Sequence, residues 1–230
     1  MRSRSRHQPA SGKPALQARS ADTLERILLA VERLLVDREF DQLSIAEIAA
    51  EAGCAVGTVY GRVENKEHLL FCLHDRFTAS AEEKVGEVLG AARDGGLEER
   101  VVALCDLLVR ILHEHRGVNR ALTNHLYASS SQAASQSMSR FRKKITAMFR
   151  GAAAFLAEGM PDSANPETRA ACEFALLAAQ DVAQGRIVFG ARSGVDLKYS
   201  LKELKRRTAE LILRYLQAHV RENTPESSDA

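Results

Sequence analysis

The sequence predicts an all-α protein, on three observations. Apolar residues recur three and four apart in segment after segment, as one face of a helix requires. No stretch shows the strict apolar–polar alternation of a half-buried strand. The segments are separated by helix-breaking runs: Gly95-Gly96, Ser129-Ser130-Ser131, the loop 159–166 with its two prolines, and Ser193-Gly194-Val195-Asp196. At 230 residues, 45% hydrophobic and 27% charged, the chain can bury the core of one large or two modest domains.

Residues 1–20 carry Arg2, Arg4, Arg6, Lys13 and Arg19, no acid and no apolar period, so they are expected to be disordered. Two roles are open: a solvated tail, or a basic arm lying in a minor groove or along phosphates. From Asp22 to Ser80 acids outnumber bases, and the whole chain is only +2. Bulk charge therefore does not argue for nucleic acid. The position of the cations must carry that case.

A first helix is expected from Asp22 or Thr23 to about Arg38 on the stripe Leu24, Ile27, Leu28, Val31, Leu34 and Leu35, with Phe40 and Leu43 plugging a three-helix core. Ser44 with Glu47 then forms a capping box: the hydroxyl accepts the Glu47 N–H and the carboxylate reaches back to the Ser44 N–H. Ile45, Ile48, Ala49 and Ala52 give the short helix behind it an apolar face, and Gly53 stops it where a tight turn needs positive φ. A second short helix is expected over 56–63, with Val59 and Val63 on one side. Ala55 offers it no side-chain cap, costing about 1 kcal/mol relative to Ser. Gly61 inside it costs a comparable amount, about 1 kcal/mol relative to Ala. Two short helices around a glycine turn make a helix-turn-helix, whose second helix is built to enter a DNA major groove.

Asn65 suits the N-cap of a long helix from Lys66 toward Ala92, with Leu69, Leu70, Leu73 and Phe77 on its apolar face. Further helices are expected over 97–115, 117–127, 135–158, 167–190 and 197–221. The penultimate one is rich in small residues (Ala170, Ala171, Ala175, Ala178, Ala179, Ala183, Gly185), which permits close helix approach. The last carries Leu201, Leu204, Thr208, Leu211, Ile212, Tyr215 and Leu216.

The ordered set Ser44-Ile45-x-x-Ile48-Ala49, Ala52-Gly53, Gly57-Thr58-Val59-Tyr60 and Lys66-Glu67-x-Leu69-Leu70 covers roughly residues 22–70 and resembles the DNA-binding headpiece of the TetR family of transcriptional regulators. It departs from the family pattern at Gly61, Arg62 and Val63, where His-Tyr-Phe is usual, and at Ala55, where a polar residue is usual.

The resemblance implies a headpiece over 21–66 behind a basic arm at 1–20, a helical regulatory and dimerisation domain over 67–222, and a frayed tail at 223–230. It implies a homodimer paired through the last two helices, which otherwise would be the domain's own core. That dimer would bind a palindromic operator in double-stranded DNA, repression being the commoner outcome. A small hydrophobic or aromatic effector would release it as the long helix after the headpiece moves. A DNA-binding regulator without such an effector, or controlled by a protein partner, is the alternative. Thr58, Tyr60 and Arg62 are the implied contacts to bases or phosphates, with Ser44 in the same set. Val56 would meet a thymine methyl, Gly57 would allow close backbone approach, and Lys66 would meet a phosphate. Tyr60 as a core residue and Arg62 as a solvated charge are the competing readings. An apolar effector pocket would draw on Leu108, Leu112, Phe141, Ile145, Met148, Phe149, Phe174 and Leu177, with polar anchors among His113, Asn124, His125, Tyr127, Gln180 and Asp181. Each of the apolar residues also reads as ordinary core.

Other classes find little support. Cys54, Cys72, Cys105 and Cys172 lack metal-ligand spacing and read as buried thiols in a reducing cytoplasm. His113 and His115 lie two apart on a helix and point to different faces. The basic start lacks the apolar run of a signal peptide, and no segment has the ~18 continuous apolar residues of a membrane span. Phosphate loops, His-Glu-x-x-His and Gly-x-Ser-x-Gly are absent from the sequence, so neither an enzyme nor a cofactor is expected.

Overall fold

The computed structural model describes residues 13–126, 132–190 and 199–223, without the side chains of 13–19, 125–126, 132–135, 137–138 and 223. All regular structure in the described residues is helical: α1 (Lys13–Leu35), α2 (Ile45–Glu51), α3 (Val56–Tyr60), α4 (Lys66–Ala91), α5 (Leu97–Glu114), α6 (Arg116–Leu126), α7 (Gln132–Ala157), α8 (Pro166–Gln184) and α9 (Leu201–Asn223). The all-α prediction holds. None of these helices is long and apolar enough to cross a membrane. The chain divides into two units, residues 1–69 and 70–230.

In the first unit α1 packs on α2 and α2 on α3. The predicted stripe is the core: Ile27, Val31 and Leu35 are fully buried, and Phe40, Leu43, Ile48, Val59, Val63 and Leu69 join them. Phe40 begins a single 3-10 turn, Phe40–Gln42, that bridges α1 to α2. Two boundaries differ from expectation. α1 starts at Lys13, so 13–20 are helical and not part of a disordered arm. Pro14 sits in the first turn, where its missing N–H is harmless, and Ala15, Leu16, Gln17, Ala18 and Arg19 are all good helix formers. α3 ends at Tyr60, not Val63. Gly61 is its C-cap with ordinary right-handed angles, so the interior-glycine cost does not arise. The proposed arm residues Arg2, Arg4 and Arg6 lie outside the described residues.

In the second unit α5 packs against α7, α8 and α9, α7 against α8, and α8 against α9. Val101 and Cys105 of α5, Leu156 of α7, Cys172 and Ala179 of α8, and Ile212 and Leu216 of α9 form one buried cluster. The small residues at 171, 175 and 179 are buried, which is what lets α8 approach its neighbours closely. Asn165 caps α8, its side chain accepting the Glu167 N–H at 2.9 Å, and Pro166 occupies the first position. Arg100, only 7% exposed, satisfies its guanidinium on the carbonyls of Gly95, Phe155 and Arg93 and pairs with Glu158. The expected helix over 167–190 changes hydrogen-bonding pattern at Gln184: residues 185–189 are a π-helical turn, with Val188 buried against Val109, Leu112, Ala183 and Leu204. The expected break at 193–196, the start of the last helix at Leu197 and the frayed tail from 224 on fall outside the described residues.

Only two cysteines are buried as expected, Cys105 and Cys172; Cys54 and Cys72 are partly exposed. Burial pushes the Cys105 thiol up to about 12 and that of Cys172 to about 11. No His, Cys, Asp and Glu group among the described residues could hold a metal.

Candidate nucleic-acid interface

The helix-turn-helix is assembled from local hydrogen bonds that its sequence specifies. Ser44 caps α2: its Oγ accepts the Glu47 N–H at 3.2 Å, and Glu47 Oε2 accepts the Ser44 N–H at 2.8 Å. At the other end of α2, Ala52 is the C-cap and Gly53 follows with φ +64°. The Cys54 N–H donates to Ala49 O at 2.9 Å and the Gly53 N–H to Ala50 O at 3.1 Å. That pair of bonds is a Schellman motif, and its left-handed position is held by the one residue type without a steric penalty there.

A cation the sequence reading did not single out fastens the same turn. Arg26 of α1 donates from Nη2 to Ala52 O at 2.7 Å and to Gly53 O at 3.0 Å. Arg33 reaches Glu51 at 2.6 Å, and Arg38 reaches Glu47 at 2.7 Å. With the Ser44 hydroxyl and N–H, Arg38 holds the Glu47 carboxyl down at about 2. These arginines spend their charge inside the headpiece. Arg26 and Arg33 alternate with the apolar stripe of α1 and Arg38 follows its end, so no local pattern in the sequence marks them.

α3 is five residues long and two-faced. Val59 is fully buried, while Val56 is 41% and Tyr60 56% exposed. Gly57 and Arg62 are also exposed, and Thr58 is half-buried. Nothing lies within 4 Å of where a Gly57 side chain would begin, so the backbone there is open to a close partner. Tyr60 is therefore not a core residue. Val56, Gly57, Thr58, Tyr60 and Arg62 remain presentable to a ligand.

The other two sequence candidates are engaged elsewhere. The Ser44 hydroxyl is held by the cap, donating to Glu47 Oε2 at 2.7 Å. Lys66 Nζ donates to Asp41 O at 3.1 Å and lies 4.7 Å from the centre of the Phe40 ring. Burial lowers its pKa against the pull of Asp41 and Glu47. One of the three ammonium donors of Lys66 is thus used inside the headpiece, on a partly exposed side chain. Asn65 caps α4 through the His68 N–H at 2.8 Å, as its residue type predicts.

Among the described residues the pocket candidates fall in several places. Leu112 is core, in the small cluster with Val188. Leu108 packs against both core clusters, and Phe149 against the larger. Phe174 and Leu177 are 59% and 53% exposed, and Asp181 and Asn124 are exposed as well. On α9, Leu211 and Tyr215 are also exposed, and the Phe174 and Tyr215 rings meet at 5.5 Å. The α8 candidates thus belong to an outward apolar face, because a stripe at helical spacing reads the same whether it lines a cavity or a surface. Phe141, Ile145 and Met148 of α7 are half-buried, with Phe141 against His74. His113 is exposed, and Gln180 is bonded to Gln184. Tyr127 and the side chain of His125 lie outside the described residues.

Comparison with known proteins agrees with this geometry. Residues 27–72 match the family described as bacterial regulatory proteins, tetR family. No curated protein sequence matches the chain. Among solved structures, a TetR-family transcriptional regulator from Streptomyces coelicolor superposes with a TM-score of 0.63 at 15% identity, over 87% of this chain and 97% of that one. The fatty acid degradation regulator FadR from Bacillus halodurans gives 0.64 at 19% identity, over 83% and 94%. FadR from Bacillus subtilis, solved in complex with stearoyl-CoA, gives 0.61 at 18% identity, over 82% and 96%.

Proposed function

We propose, from the premise that this chain is a tetR-family regulator through its headpiece, that it is a DNA-binding transcriptional regulator acting as a homodimer on a palindromic operator. The observation that carries this is α3, with Val59 buried and the opposite surface of Val56, Gly57 and Tyr60 open. Tyr60 and Thr58 offer hydroxyls to base edges or phosphates, Val56 a methyl surface for thymine, and Arg62 a guanidinium for a phosphate or a guanine. A five-residue recognition helix covers few base pairs. Pairing two of them about 34–36 Å apart supplies the rest of the specificity. The exposed apolar row of Phe174, Leu177, Leu211 and Tyr215 on α8 and α9 supports self-association.

The regulator is a repressor released by a small apolar or aromatic effector bound in the second unit. Support comes from the FadR neighbour that holds stearoyl-CoA in the same fold. Release requires the effector to bind the DNA-competent and incompetent conformations with different affinity; equal affinity shifts nothing.

Selection from randomised duplex DNA by the purified protein tests the proposal. A palindrome with half-sites one helical turn apart is expected. Failure to enrich any sequence at low salt overturns it.

A further inference from the structure

His74 lies on α4 and is 1% exposed. Neither ring nitrogen has a hydrogen-bond partner. The Thr78 hydroxyl, one turn along α4, donates to the His74 backbone carbonyl at 2.7 Å. A neutral imidazole has one donor and one acceptor, and burying both unmet is destabilising. Burial lowers the His74 pKa, with Asp75 raising and Lys144 lowering it, so the ring stays neutral at neutral pH and offers one N–H.

Phe141 faces this ring, and Asp75 and Lys144 are the charged groups that act on it. Phe141 of α7 packs against it, ring centres 4.0 Å apart and tilted 51°. On either side of Phe141 in the sequence come Arg140, Arg142, Lys143 and Lys144, all exposed. Of these, Lys144 makes a 3.7 Å ion pair with Glu82 of α4, between two half-exposed side chains. Arg142 and Lys143 border a shallow depression with Arg150 farther along α7.

We propose that His74 is the polar anchor of an effector site between α4 and α7, and that the site takes an amphipathic acid. The apolar or aromatic body lies against Phe141. The anionic headgroup accepts the imidazole N–H, and the basic run of α7 draws it in. This inference rests on the effector-controlled reading above and names the ligand class that reading leaves open.

Two fluorescent probes with one ring system test it on the full-length protein: 8-anilino-1-naphthalenesulfonate, an anion, and N-phenyl-1-naphthylamine, its uncharged counterpart. Wild type is expected to bind the sulfonate with one site per protomer, at least tenfold tighter than His74→Leu does. The amine is expected to bind both proteins equally. His74→Leu is also expected to melt no lower than wild type, because it removes an unmet polar group. His74→Gln, which keeps an N–H donor, is expected to retain part of the sulfonate affinity. Equal sulfonate affinity in wild type and His74→Leu overturns the anchor, as does parallel loss of both probes or a lowered melting temperature. If the amine weakens operator binding while the sulfonate ignores His74, effector control stands and this inference fails. If neither probe binds wild type, both fail. Sulfonate binding that depends on His74 but leaves operator affinity unchanged supports the site and contradicts effector control.

Discussion

Arg26 of α1 holds the carbonyl of Ala52 at 2.7 Å, so the turn of the helix-turn-helix is fastened to the first helix by one guanidinium. The contact fixes the point from which α3 departs. Arg26→Ala leaves two carbonyls at the edge of solvent and costs the turn about 1–2 kcal/mol, the range of a charge-assisted bond replaced by water. Hydrogen exchange at the Cys54 amide, which bonds to Ala49 O, reads this directly. We expect it to quicken about tenfold, corresponding to roughly 1.4 kcal/mol.

The Ser44–Glu47–Arg38 cluster makes headpiece stability depend on acid. The Glu47 carboxyl is lowered from 4.5 to about 2 in the folded protein by Arg38, then by the Ser44 hydroxyl and N–H. A depressed carboxyl contributes stability that is fully present above its unfolded value and is lost as pH falls through its folded value. The difference in melting temperature between wild type and Glu47→Gln is therefore expected to be constant at neutral pH and to narrow between about 4.5 and about 2. A difference unchanged across that window contradicts the assignment.

α3 lacks a side-chain cap. Ala55 holds N-cap geometry, φ −75° and ψ 150°, with nothing to offer the orphan amides. Ala55→Ser is expected to stabilise the headpiece by about 1 kcal/mol, measurable as slower exchange of the α3 amides.

Phe174 and Leu177 of α8 and Leu211 of α9 stay exposed in the single chain. Charging this face, as in Leu177→Glu with Leu211→Arg, is expected to yield monomers by sedimentation equilibrium while the melting temperature stays near wild type. A dimer that persists places the self-association surface elsewhere.

Much of the headpiece was legible because its signals are local. Ser44-x-x-Glu47, Gly53 and Asn65 each specify a cap or turn within four residues, and the structure has each of them. The start of α1 was not legible, since 13–20 has no apolar period to mark it as helix. The second unit was legible as helices but not as a site. Phe174 and Leu177 show the same spacing whether they line a cavity or a surface. Lys66 reads in the sequence as a phosphate contact because it opens a helix; its bond to Asp41 and its place over Phe40, 25 and 26 positions earlier in the chain, are long-range contacts that no local signal carries. His74 shows nothing in the sequence to mark it as a buried ring without partners. That is a property of the packing of α4 against α7.

The central claim is that the open face of α3 reads DNA, and titration of the selected operator with wild type and Tyr60→Ala at one salt concentration tests it most directly. Tyr60 is 56% exposed, so its removal leaves the fold intact. We expect operator affinity to fall about tenfold, within the roughly 1–3 kcal/mol of a lost base contact, with affinity for random duplex nearly unchanged. Equal operator affinity for the two proteins would contradict the assignment of α3 as the reading helix.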